Sequence, residues 1–69
     1  MAYRLIASSA AGERPVGEAY ERPIAFRMAD QLVRTDTGQE GIVTYRVVDW
    51  REKVIYEAAN DGQPGREIR

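Results

Sequence analysis

The sequence predicts an all-β domain, a small antiparallel meander of five strands over its 69 residues. The strongest observation is the run from Ile42 to Ala59, in which two strand-like segments flank the polar turn Arg51-Glu52-Lys53. With Asp49 opposite Val54, Val48 meets Ile55, Val47 meets Tyr56, Arg46 meets Glu57 and Tyr45 meets Ala58, and opposite residues share a face. One face then carries Tyr45, Val47, Val54, Tyr56 and Ala58, while the other carries an Arg46–Glu57 ion pair beside Val48 and Ile55. The second observation is apolar alternation at Tyr3, Leu5 and Ala7 and again at Ile24, Phe26 and Met28, the period of a half-buried strand. The third is punctuation by glycine, proline, Asn and Asp between these runs, which breaks the chain into short extended pieces.

Taken in order, Tyr3 to Ala7 is the first strand. Ser8 to Arg22 holds Gly12, Pro15 and Gly17 with mixed charge and no sustained period, so residues 8–22 read as a long loop with a short extended piece around Val16. Pro23 closes that loop and Ile24 to Met28 forms the second strand. Around Asp30 to Thr35 two readings compete: Met28 to Arg34 as two helical turns with Met28, Leu32 and Ala29 inward, or a strand; the strand is preferred because Asp36-Thr37-Gly38-Gln39-Glu40-Gly41 resembles a hairpin link into Ile42. The Ile42–Ala59 hairpin completes the count. Residues 60–69 contain Asn60-Asp61-Gly62-Gln63-Pro64-Gly65 and a charged end, and read as a flexible tail of a single small β domain spanning 1–69. Closure limits exposed edges, and a partly open SH3-like barrel is the nearest familiar architecture.

Composition excludes several function classes. The chain has no cysteine and no histidine, so disulfides, zinc centres built on those residues and histidine-dependent catalysis are ruled out. A core of this size supplies about 3 to 5 kcal/mol without such staples, which leaves dimerisation as the route to more buried area. The formal charge of −1 gives no overall pull towards nucleic acid or anionic lipid. Lys53 is the one lysine among ten basic residues. No apolar run approaches the roughly 20 residues of a membrane span, and a cytoplasmic protein is the default expectation.

No spacing of reactive side chains identifies a reaction, a small-molecule substrate or a cofactor. Asp36-Thr37-Gly38 matches the triplet of aspartic proteases, but it follows Arg34-Thr35 instead of an apolar strand and reads as turn chemistry. Asn60-Asp61-Gly62 fails as a calcium loop, since aligning its glycine puts Ala59 at a ligand position and Ile68 where a bidentate glutamate belongs. Ser8 and Ser9 lack an activating base. The expectation is therefore a non-enzymatic binding or accessory module that contacts another protein or a second copy of itself. Its candidate surface is Arg46, Val48 and Ile55 on the hairpin face with Trp50, Arg51 and Lys53 at the tip, because aromatic and arginine side chains dominate binding hot spots. The alternative is a nucleic-acid-binding small β-barrel that gathers Arg34, Arg46, Arg51 and Lys53 on one side.

Overall fold

The computed structural model describes residues 2–68. Five strands, β1 (Tyr3–Ser9), β2 (Gly12–Ala19), β3 (Thr44–Val48), β4 (Val54–Ala59) and β5 (Arg66–Glu67), form one antiparallel sheet in the order β2-β1-β3-β4-β5. One helix, α1 (Arg22–Thr35), packs on one face. The sheet is open: β2 and β5 are its two edges, so the strands do not close into a barrel. The strand number agrees with expectation, but only three of the five segments coincide with expected strands, and the chain is two-layered because a helix covers one face.

The segment expected to be a loop over residues 8–22 instead supplies β2, joined to β1 by a tight turn in which the Ala11 amide donates to Ser9 Oγ. Its period is masked by a bulge: Leu5 pairs with Gly17 but Ile6 pairs with Pro15, leaving Val16 as the extra residue. An inserted residue reverses the in–out alternation, and a proline is tolerated there because an edge strand need not donate every N–H.

The two strands expected between Ile24 and Thr35 are a single helix. Pro23 does not end a loop but lies in the first helical turn, where its fixed φ suits the helix and its missing N–H costs nothing. Glu21 leads in with extended backbone, and its carbonyl accepts from the Ala25 amide. The buried stripe consists of Ala25 and Ala29, flanked by Phe26, Met28, Leu32 and Val33, a helical period whose two anchors are alanines. Ile24, the residue that suggested alternation, is exposed. Gly17 leaves room for the helix on β2: a Cβ there would lie 3.2 Å from Met28 Cε.

The hairpin forms as expected through Tyr45–Ala58, Arg46–Glu57 and Val47–Tyr56, then slips. Val48 pairs with Val54, and Ile55 is the inserted residue. The bulge turns Ile55 into the main core with 6% exposure, and leaves Val54 half-buried opposite Val48. Val48 is 8% exposed, so Val48 and Ile55 are not the exposed apolar pair that the sequence suggested. Leu5, Val43 and Val47 are fully buried at the centre.

The segment expected to be a flexible tail carries β5 on the outer edge of β4, with the Ile68 amide donating to the Ile55 carbonyl. Gly65 lies directly against the Tyr56 hydroxyl, which donates to Asp30 Oδ1 at 2.7 Å. Tyr56 also stacks on Phe26, with ring centroids 4.3 Å apart. Helix, sheet and final strand thus meet at one aromatic–carboxylate contact.

Candidate interaction surface

The chain direction brings one set of elements to one end of the sheet. β1 begins there at Tyr3, β2 ends there beside it at Ala19, α1 starts at Arg22 and β3 runs out at Val48 into the β3–β4 turn. Asp49 builds that turn: its Oδ1 accepts from the Arg51 amide at 2.8 Å and the Lys53 amide at 3.0 Å, and its own amide donates to the Lys53 carbonyl. Glu52 takes the left-handed conformation, with φ 63°, that closes the loop. The amides of Lys53 and Arg51 hold the Asp49 carboxyl below the ordinary carboxylate range.

This turn presents Trp50, which is 47% exposed and meets Tyr3 edge to face at 5.5 Å between ring centroids. The Trp50 ring therefore leans on an aromatic from β1. Tyr20, 74% exposed, and Ile24 belong to the same end. Three of the four exposed large hydrophobic residues among the described residues thus gather at one end of the molecule, and the fourth, Ile42, lies in the loop before β3 at the other. Arg51 and Lys53 are exposed beside Trp50, and neither forms an ion pair with a described residue.

The remaining sequence-predicted residues lie elsewhere. Arg46 projects from the sheet face opposite the helix, where Nε donates to Glu57 at 2.8 Å and Nη1 to Glu13 at 3.3 Å. Arg34 is in the last turn of α1, at the end of the helix away from the β3–β4 turn. The four cations of the nucleic-acid reading are therefore distributed over three regions, not gathered on one. Tyr3, Tyr20 and Ile24 carry no surface signal in the sequence: Tyr3 and Ile24 fall on the apolar side of strand-like alternations, and Tyr20 falls in the 8–22 stretch that has no sustained period. The expected Arg46–Glu57 pairing was the one part of the outer face visible in the cross-strand register.

Asp36, the carboxylate of the protease-like triplet, is bound within the fold. Its Oδ2 accepts from the Tyr45 hydroxyl at 2.5 Å, and its Oδ1 accepts from the Gly38 amide at 2.7 Å and Asn60 Nδ2 at 3.1 Å. Asn60 in turn accepts from the Val43 amide and donates to the Gly41 carbonyl. The Tyr45 hydroxyl and the Gly38 amide pull the Asp36 carboxyl below its usual range. These bonds fix the loop between α1 and β3, an Asx-type turn extended by a side-chain amide.

These contacts make stability depend on pH at both ends of the range. Burial, followed by the hydrogen bond to a carboxylate, pushes the Tyr45 hydroxyl up to about 12, and burial with the Asp30 bond does the same to Tyr56. Both protonated hydroxyls therefore contribute stability fully below the ordinary tyrosine value of 10.0, and that contribution is lost as pH rises towards about 12. Asp36 and Asp49 act in the opposite sense: their contribution is present above the ordinary value of 3.8 and is lost as pH falls below it. Thermal melts should give a plateau bounded on both sides, and Tyr45→Phe with Tyr56→Phe should flatten the alkaline limb. An unchanged alkaline limb in that double variant would mean that neither hydroxyl controls it.

No helix is long and apolar enough to cross a membrane among the described residues. No protein-family model, no curated protein and no solved structure matches the chain.

Proposed function

We propose that this chain is a non-enzymatic binding module that engages another protein through the end of the sheet bearing Trp50, Tyr20, Tyr3 and Ile24. The observation that carries this reading is the exposure of Trp50 on a turn that its own hydrogen bonds already order, with the ring held edge-on by Tyr3. An aromatic anchor that is ordered before binding loses little side-chain entropy on contact, and Trp and Tyr are the residues over-represented at interface hot spots. Arg51 and Lys53 supply a polar rim. Val48 and Ile55, which the fold buries, and Arg46, which is tied to two glutamates, are not part of this contact.

A protein partner suits this end better than a nucleic acid because the charges around Trp50 are mixed. Glu18, Glu21, Asp49 and Glu52 accompany Arg4, Arg22, Arg51 and Lys53, with Arg4 ion-paired to Glu52, whereas nucleic-acid surfaces are predominantly basic. Affinity capture with the wild-type chain and with Trp50→Ala/Tyr20→Ala tests the reading. A specific protein retained by the wild type should bind the double variant at least roughly 30-fold more weakly, corresponding to about 2 kcal/mol for loss of a hot spot, and its retention should change little with salt. Equal retention by both proteins would reject this surface. Bound nucleic acid that elutes steeply with salt would favour the alternative function.

A further inference from the structure

The helix covers one face of the sheet, and the opposite face carries a row of charges of alternating sign. Glu13 on β2 reaches across β1 to Arg46 on β3 at 3.3 Å; Arg46 binds Glu57 on β4 at 2.8 Å; Glu57 approaches Arg66 on β5 at 3.7 Å. Arg46 and Glu57 are direct cross-strand partners, as are Glu57 and Arg66. The row reads negative, positive, negative, positive from one edge towards the other. Its two central side chains are 29% and 23% exposed and its two outer ones 64% and 77%.

An array with this alternation is its own complement under one symmetry operation. A two-fold axis parallel to the strands, between β3 and β4, turns a second copy face to face and reverses the order of the row. Glu13 then faces the second copy's Arg66, and Arg46 faces its Glu57, with both contacts repeated by symmetry. An axis along the row would instead set each charge against itself. Ile6, Pro15 and Val54, which the fold leaves at least partly exposed, provide apolar surface on either side, being on the same face by strand register. The β2 edge is less suited to pairing, since Pro15 and the bulge interrupt its ladder.

We propose that this outer sheet face is a self-complementary surface on which two copies of the chain associate, sheet against sheet, through the Glu13–Arg46–Glu57–Arg66 row. The row has no net charge, so approach meets no overall repulsion at the interface. Four strands of at least five residues and the two-residue β5, about 4.8 Å apart at about 3.3 Å per residue, offer a footprint of roughly 350 Å² per copy, below the size of stable specific interfaces and in the range of weak, transient ones. The dimer therefore dissociates readily and is weakened by salt. Its surface is separate from the Trp50 end, so Trp50→Ala leaves dimerisation unchanged.

The test is sedimentation equilibrium of the full chain with two charge reversals. Glu13→Arg sets a positive charge against Arg66 of the second copy, and Arg66→Glu sets a negative charge against its Glu13, so each variant alone should remain at the monomer mass of 7.8 kDa. Mixed in equal amounts, the two restore both contacts and should form a heterodimer, while the wild type should approach twice the monomer mass with rising concentration. Circular dichroism reports whether each reversal folds. If either does not, Glu13→Gln and Arg66→Gln, which remove attraction without adding repulsion, should each weaken dimerisation several-fold. A wild type that stays monomeric up to its solubility limit overturns the proposal, as does a reversal or neutral variant that dimerises as tightly as the wild type. Two folded reversals that remain monomeric when mixed also reject the symmetry axis on which it rests.

Discussion

Val47→Asp should abolish the cooperative thermal transition. Val47 is fully buried, lies between Leu5 on β1 and Tyr56 on β4, and belongs to the cluster that α1 covers. A carboxylate there either ionises without a partner or is protonated at a large energetic cost, and the lost packing adds to the penalty. The sum exceeds the roughly 3 to 5 kcal/mol that a core of this size supplies. Arg46→Ala, one residue away on the other face, is the contrasting measurement: its half-exposed ion pairs contribute about 0.2 to 1 kcal/mol, so that variant should melt close to the wild type. Similar losses from both substitutions would refute the assignment of inner and outer faces.

Gly65→Ala should detach the last strand while leaving the rest of the sheet assembled. A Cβ at Gly65 would collide with the Tyr56 hydroxyl oxygen and lie 2.6 Å from Tyr56 Cζ and 2.8 Å from Asp30 Oδ1. Neither neighbour can yield easily, since Tyr56 is stacked on Phe26 and bonded to Asp30. The chain at Gly65 must move instead, taking with it the two-residue β5, the Ile68–Ile55 hydrogen bond and the approach of Arg66 to Glu57. Overpacking of this kind costs about 1 to 3 kcal/mol. Hydrogen exchange should show the Ile68 amide losing protection while the amides of β1 and β3 keep theirs. Unchanged protection at Ile68 would mean that Gly65 is not required by this contact.

The parts of the fold legible in the sequence were those in which side-chain size and strand period agree. Tyr45, Arg46 and Val47 alternate cleanly against Ala58, Glu57 and Tyr56, and their register follows from matching like with like. The bulge at Ile55 was invisible because Val54 and Ile55 are equally apolar, and only packing decides which turns inward. The helix was hidden because Ala25 and Ala29 mark its buried stripe, whereas Ile24, Phe26 and Met28 imitate a strand. β2 was hidden by Gly12, Pro15 and Gly17, residues that normally interrupt strands but here suit a turn, an edge bulge and a close helix crossing. Of the interaction surface, Trp50, Arg51 and Lys53 were recognisable as a turn bearing an aromatic. The companions Tyr3, Tyr20 and Ile24 are assembled by the helix crossover and have no local signature.

The position of β1 between β2 and β3 makes the covalent order of the chain separable from its architecture. Tyr3–Thr35 contains a hairpin and the helix, and Thr44–Glu67 contains the other three strands; the only backbone between them is the short loop that Asp36 and Asn60 secure. Their mutual boundary is a full antiparallel ladder from Arg4–Val48 to Ser8–Thr44, with Val47 seated against Leu5. Each half exposes at that ladder the backbone groups and apolar side chains that the other satisfies. The protein is in this respect a pair of complementary peptides whose tether acts chiefly by raising the local concentration of one for the other, and the recognition between them is written in the strands and not in the loop.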